Sequence, residues 1–228
     1  MSILSNLKGK VIVSCQAMPD EPLYQENSML AIMESVVNGG ASGLRVAGAR
    51  DIKNAKKHFN IPIIGLTKPN KLPTNWKEIV YITPGLKEVD EIIEAGADIV
   101  AFDGTMRPHD NCNLQDIIQR IHEFNRIAMA DISTLEEGIN AEKLGADIIS
   151  TTLAGYTLES ANDSNEPDYT LLKGLVERVT KPIILEGRIW EPKQVKKAFE
   201  YGAHCVVIGS AITRPQLITK RFVEWSLA

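Results

Sequence analysis

The sequence predicts an α/β fold, a (β/α)8 TIM barrel forming a single catalytic domain over residues 1–228. Three observations lead there. Eight short runs rich in Val and Ile alternate with amphipathic stretches, the rhythm of a parallel sheet whose strands are buried on both faces. A degenerate repeat, NGGASGLRVA, EAGADIVAFD, KLGADIISTT and EYGAHCVVIG, joins a helix end, a glycine and a strand. Its glycines, Gly40, Gly96, Gly145 and Gly202, are 56, 49 and 57 residues apart, the length of two βα units each.

In chain order, the run KVIVS (10–14) precedes a helix pattern near 28–38, and GLRVA (43–47) one near 51–58. PIIGLT (62–67) precedes the pattern at 86–95, IVAFD (99–103) that at 114–124, and IAMAD (127–131) that at 134–144. DIIST (147–151), PIILE (182–186) and CVVIG (205–209) are followed by 168–178, 192–201 and 214–225. Each repeat glycine is expected to cap its helix in the left-handed conformation and turn the chain into the next strand. A ninth apolar run, VYIT at 80–83, breaks the eightfold count and is assigned to the long connection after the third strand, outside the ring. The polar stretch 159–168 reads as one long βα loop. An open doubly wound sheet would carry a glycine-rich fingerprint after its first strand, and VSCQAMPDEP has no glycine.

Composition narrows the function. The net charge of −4, with no basic block, argues against nucleic acid and leaves small polar metabolites as partners. Cys15, Cys112 and Cys205 have neither zinc nor redox-motif spacing, which fits a reducing compartment. No apolar run approaches the roughly 20 residues that span a membrane, and the first ten residues lack a signal-peptide core. A soluble, cytoplasmic protein is expected, with a homodimer left open.

In such a barrel the reactive groups stand at strand C-termini. That list holds Gln16, Arg45, Lys68, Asp103, Asp131, Thr151, Thr152, Glu186, Arg188, Gly209 and Ser210. Lys68 and Glu186 follow the third and seventh strands, opposite each other in a ring of eight. That placement suits removal of a proton from one face of a carbon and its return to the other; a salt bridge at the barrel mouth is the plainer alternative. EGRI (186–189) and VIGSAITRP (207–215) close the last two strands, where Gly187, Gly209 and Ser210 would offer amides to a phosphate, and Arg188 or Arg214 charge. Asp103 and Asp131 suit hydroxyl recognition, lysine orientation or a metal, but no histidine joins them, and no metal is expected. His109 alone among the histidines approaches the strand ends. Cys15 has no histidine placed to activate it and reads as a buried thiol.

The segments IVSCQAMPDEPL, GLR, PIIGLTK, YIT followed by KEVDEI, GADIVAFDGT, MADISTLEEG, STTLAGYT, ILEGRI and VIGSAITRP, in this order, resemble the N-acetylmannosamine-6-phosphate 2-epimerases of sialic acid catabolism over nearly the whole chain. The resemblance implies a cofactor-independent barrel that interconverts N-acetylmannosamine 6-phosphate and N-acetylglucosamine 6-phosphate by proton transfer at C2. It implies Lys68 and Glu186 as catalytic residues, and Gln16, Arg45, Asp131 and Arg188 as substrate contacts. Gly209, Ser210 and Arg214 fall on the phosphate loop, and Asp103 matches a family aspartate. Three departures stand out: Val46-Ala47 where many members have Ala-Asn, Pro69-Asn70 where Arg-Asp is frequent, and Trp190 in place of a small polar residue. Two other readings compete, a Schiff-base lyase using Lys68 and a catalytically silent sugar-phosphate sensor on the same fold.

Overall fold

The computed structural model describes residues 2–109 and 111–226. Eight parallel strands close into a barrel in chain order: β1 (Val11–Cys15), β2 (Leu44–Ala47), β3 (Ile63–Leu66), β4 (Ile99–Asp103), β5 (Ile127–Asp131), β6 (Ile148–Ser150), β7 (Ile183–Glu186) and β8 (Cys205–Ile208). β8 returns to β1 through the register Val11↔Val206 to Val13↔Ile208.

A short helix α1 (Ile3–Leu7) leads into β1. Outside the ring lie α2 (Glu26–Asn38), α3 (Ala49–His58), α4 (Leu86–Glu94), α5 (Leu114–Glu123), α6 (Leu135–Leu144), α7 (Tyr169–Arg178) and α8 (Pro192–Glu200). The last connection breaks into α9 (Ser210–Thr213) and α10 (Pro215–Ser226). Pro215 explains the break, because its ring excludes helical geometry from Arg214, which sits at φ −124° and ψ 78°. The four repeat glycines all adopt left-handed φ, from 93° to 105°, as the helix-to-strand turn demands.

Alternation along each strand separates two cores. Outward residues such as Leu44, Val46, Val100, Phe102, Ile149 and Leu185 meet the helices. Inward residues, among them Ile12, Ile64, Ile99, Met129, Ile148, Ile184 and Val207, fill the barrel. Two residues further along the same faces the interior turns polar, with Ser14, Asp131, Ser150 and Glu186, and Arg45 joins this level from β2. The lower end is closed by α1, with Leu7 buried and His204 Nε2 2.7 Å from the Leu4 carbonyl, a packing role on the face away from the polar layer.

The 80–83 run corrects one expectation. It forms no strand, but neither does it stay clear of the ring. β3 and β4 pair only through Ile64↔Ile99 and Gly65↔Val100, then separate. Into that gap come Ile82, whose carbonyl accepts from the Asp103 amide at 2.9 Å, and Thr83, whose amide donates to the Thr67 carbonyl at 3.2 Å. A buried Ile82 and Thr83 thus satisfy the backbone groups that the diverging strands leave open.

Candidate active site

A cavity of about 470 Å³ opens at the C-terminal ends of the strands, within the size range of small-molecule sites. Its wall includes Gln16, Lys68, Glu186, Gly187, Arg188, Gly209, Ser210 and Arg214. Lys68, two residues beyond β3, and Glu186, the last residue of β7, therefore face one space from opposite sides of the ring.

Beneath the cavity lies a buried network around Arg45. Its guanidinium crosses the barrel to grip Asp131, with Nη1 3.0 Å from Oδ1 and Nη2 2.5 Å from Oδ2. Nη1 also lies 3.0 Å from Glu186 Oε2. The Thr152 hydroxyl donates toward Asp131 Oδ1 at 2.7 Å and Glu186 Oε2 at 3.1 Å. Thr151 fixes the end of β7 by exchanging hydrogen bonds with the Glu186 backbone at 2.9 and 3.1 Å. Arg45 is 1% exposed and Asp131 fully buried, so both support the floor without lining the cavity.

Such burial reshapes the ionisation of the two groups that do line it. Burial pushes the Glu186 carboxyl up to about 7, with Asp131 adding to the rise and Arg45, Lys68 and Thr152 opposing it. Burial brings the Lys68 ammonium down to about 8, reinforced by Arg45 and partly offset by Glu186 and Asp131. Arg45 stays charged: burial works against it, but Asp131 and Glu186 outweigh that cost. Lys68 Nζ makes no hydrogen bond to any of the described residues. An acid and a base with pKa values brought toward neutrality from opposite directions are suited to exchanging protons with a third partner.

The last two βα turns supply donors. Gly187 adopts φ +108° and Arg188 φ +57°, a pair of left-handed residues that turns the chain sharply at the cavity wall. Among the described residues, the backbone amides of Gly187, Arg188, Ser210 and Ala211 find no acceptor. The Arg188 guanidinium is engaged by the β6–α7 loop, through the Ala154 and Ser164 carbonyls and Asn162 Oδ1 at 3.0–3.1 Å. Arg214 pairs with Glu21 of the β1–α2 loop, which also accepts from Gln216. Gln16 donates to Ser14 Oγ at 2.8 Å, while its own buried Oε1 has no partner among the described residues and is available to a ligand N–H or O–H.

Asp103 sits elsewhere. It is fully buried and closed off by Arg107 Nη2 at 2.6 Å and by the Thr105 hydroxyl at 2.6 Å, outside the cavity lining. Both candidate metal-binding aspartates are thus bound by guanidinium groups. His109 turns toward the Pro84 carbonyl at 3.1 Å and does not line the cavity. Burial lifts the Cys15 thiol to about 12, as befits an inert core residue. Of the departures, Val46 points into the outer core, while Ala47, Pro69, Asn70 and Trp190 line the cavity. The Arg221 guanidinium lies 4.8 Å from the Trp190 ring centroid. Trp76, Tyr81 and Tyr156 also line the cavity, and the strand-end rule had no means of finding them, since all three sit within loops.

Fold and site define a (β/α)8-barrel enzyme with a lysine and a carboxyl group facing one cavity across the mouth. Residues 29–226 match the model of the family described as "Putative N-acetylmannosamine-6-phosphate epimerase", and the chain belongs to that family. A relative from Clostridium perfringens named "Putative N-acetylmannosamine-6-phosphate 2-epimerase" is 48% identical over 223 residues, covering 97% of this chain and 99% of that one. One of the same name from Caldanaerobacter subterraneus is also 48% identical, covering 99% and 94%. The solved structure of the N-acetylmannosamine-6-phosphate 2-epimerase from C. perfringens superposes with a TM-score of 0.92 at 47% identity, over 98% of this chain and 96% of that chain. A 3-hexulose-6-phosphate synthase from Salmonella typhimurium, at TM-score 0.64 and 18% identity, shares the fold alone. Among the described residues no helix is long and apolar enough to cross a membrane.

Proposed function

We propose that this enzyme interconverts N-acetylmannosamine 6-phosphate and N-acetylglucosamine 6-phosphate by moving a proton on and off C2, within amino-sugar breakdown in the cytoplasm. The observation that carries the reading is the placement of Lys68 and Glu186 on opposite walls of one cavity.

The chemistry follows from the substrate. Ring opening exposes the C1 aldehyde, which acidifies the C2 proton by accepting the electron pair as that proton leaves. Neutral Lys68 takes the proton from one face, and the carbanion charge is delocalised onto the C1 oxygen. Protonated Glu186 delivers a proton to the other face, which inverts C2. In the reverse direction Glu186 is the base and the Lys68 ammonium the acid. The Arg45–Asp131 pair holds Glu186 in place through the 3.0 Å contact. The phosphate is assigned to the amides of Gly187, Gly209 and Ser210 with charge from Arg214, at the turns where barrels of this class hold phosphate. Gln16 and Arg188 contribute to substrate recognition from the cavity wall.

Incubation with N-acetylmannosamine 6-phosphate tests the reading. It predicts a new anomeric signal pair from the C2 epimer by proton NMR, without added cofactor. Cleavage to smaller products, or borohydride trapping of substrate on Lys68, would instead favour a Schiff-base lyase.

A further inference from the structure

Three rings whose role the acid–base chemistry leaves open line the cavity between the β3–α4 and β6–α7 connections: Trp76, Tyr81 and Tyr156. Trp76 meets Tyr81 edge-on, with centroids 6.1 Å apart and planes at 85°, and Tyr156 at 6.4 Å and 42°. The cluster is built, not incidental. The Lys77 carbonyl, next to Trp76, accepts from the Leu158 amide at 3.4 Å and from Arg107 Nη1 at 3.1 Å, which ties the two loops together. Arg107 is in turn anchored on Asp103. Tyr81 is 9% exposed, yet its hydroxyl donates to none of the described residues. Leu153 shares an apolar cluster with Trp76 and Tyr81 and also lines the cavity.

We infer that this wall is the N-acyl subsite and sets which acyl group the enzyme accepts. The inference rests on the proposed C2 epimerisation and follows from its geometry. C2 must lie between Lys68 and Glu186, and the amide nitrogen is bonded to C2, so the acyl group sits within a few bonds of both. The phosphate end points toward β7, β8 and β1, which leaves the acyl group to the opposite arc, between β3 and β6. An acyl amide has an apolar end and a carbonyl acceptor. The wall presents the matching pair, aromatic faces and one uncommitted hydroxyl, Tyr81 Oη.

The test measures kcat/KM for N-acetyl-, N-propanoyl- and N-butanoylmannosamine 6-phosphate, with C2 deuterium exchange as a common readout. Tyr156→Ala should raise the propanoyl-to-acetyl ratio by at least about tenfold, the leverage a hydrophobic pocket exerts per methylene. Tyr156 is 36% exposed, so the substitution should be borne by the fold; Trp76→Leu provides a second variant should it not be. Tyr81→Phe should raise KM for all three substrates and leave their ratio within about twofold. Wild-type exchange with unchanged ratios in both Tyr156→Ala and Trp76→Leu overturns the acyl assignment while the epimerase reading stands. Absence of wild-type exchange with every substrate overturns the epimerase reading and the subsite with it.

Discussion

The Arg45 guanidinium on β2 lies 3.0 Å from the Glu186 carboxylate on β7, while its other contacts bind Asp131 on β5. One fully buried cation thus serves two carboxylates, and only Glu186 reaches the cavity. Arg45→Met would leave the fully buried Asp131 and the half-buried Glu186 without their guanidinium partner, with Lys68 as the remaining nearby cation. The expected cost is about 3–5 kcal/mol of stability, the scale for breaking a buried ion pair, read by urea denaturation at pH 7.5. The penalty should shrink at pH 4, where the Glu186 carboxyl, already raised to about 7 by burial, is protonated and needs no counter-charge.

The pH profile carries a sharper expectation. Both directions of the reaction need the Lys68–Glu186 pair to hold one transferable proton: neutral lysine with protonated Glu186 one way, ammonium with carboxylate the other. Below about pH 7 both groups are protonated and no base remains; above about pH 8 both are deprotonated and no acid remains. kcat/KM should therefore follow the same narrow bell, with limbs near 7 and 8, from either epimer. A kcat/KM that stays flat from about pH 6 to 9, or that falls on one side only, would contradict a shared proton.

Much of this was legible in the sequence, for specific reasons. Buried parallel strands must be apolar throughout, so all eight announced themselves to within a residue or two, and the glycine repeat fixed the turns between helix and strand. The strand-end rule also brought Lys68, Glu186, Gln16, Gly187 and Gly209 to one cavity. It could not separate Asp131, beneath the cavity, from Asp103, closed off by Arg107, because both end neighbouring strands in the register Asp103↔Asp131. Nor could it foresee that Ile82 and Thr83 fill a gap between diverging strands, a matter of register that no local pattern encodes. The short helix α1 was missed because five residues carry too little periodicity to register.

Asp103 and Arg107 should matter for folding more than for chemistry. Asp103→Ala strands a buried guanidinium and should cost about 3–5 kcal/mol in urea denaturation. In the folded fraction, active-site titration should find kcat within about threefold of wild type. Because Asp103 and Asp131 are each occupied by an arginine, EDTA should leave activity unchanged; loss on chelation with recovery in Mg2+ would reassign them as metal ligands.

The phosphate assignment predicts that N-acetylmannosamine without phosphate turns over at least about 10²-fold less efficiently, since binding energy from the non-reacting end is spent at C2. Similar kcat/KM for the two substrates would remove Gly187, Gly209, Ser210 and Arg214 from that role. Gly187→Ala gives a structural counterpart, because a side chain at φ +108° is strained and shifts the donors of this turn.

The central claim is that Lys68 and Glu186 serve opposite faces of C2, and deuterium exchange in single variants tests it most directly. Lys68→Ala and Glu186→Ala should each lower kcat for epimerisation by at least about 10²-fold, and the double variant should lose less than the product of the two. Substrate should still bind to both. In D2O, followed by NMR at C2, each single variant should wash deuterium into one epimer, a different one for each, while interconversion stops. Near wild-type epimerisation by Lys68→Ala, or exchange into the same epimer by both variants, would contradict it.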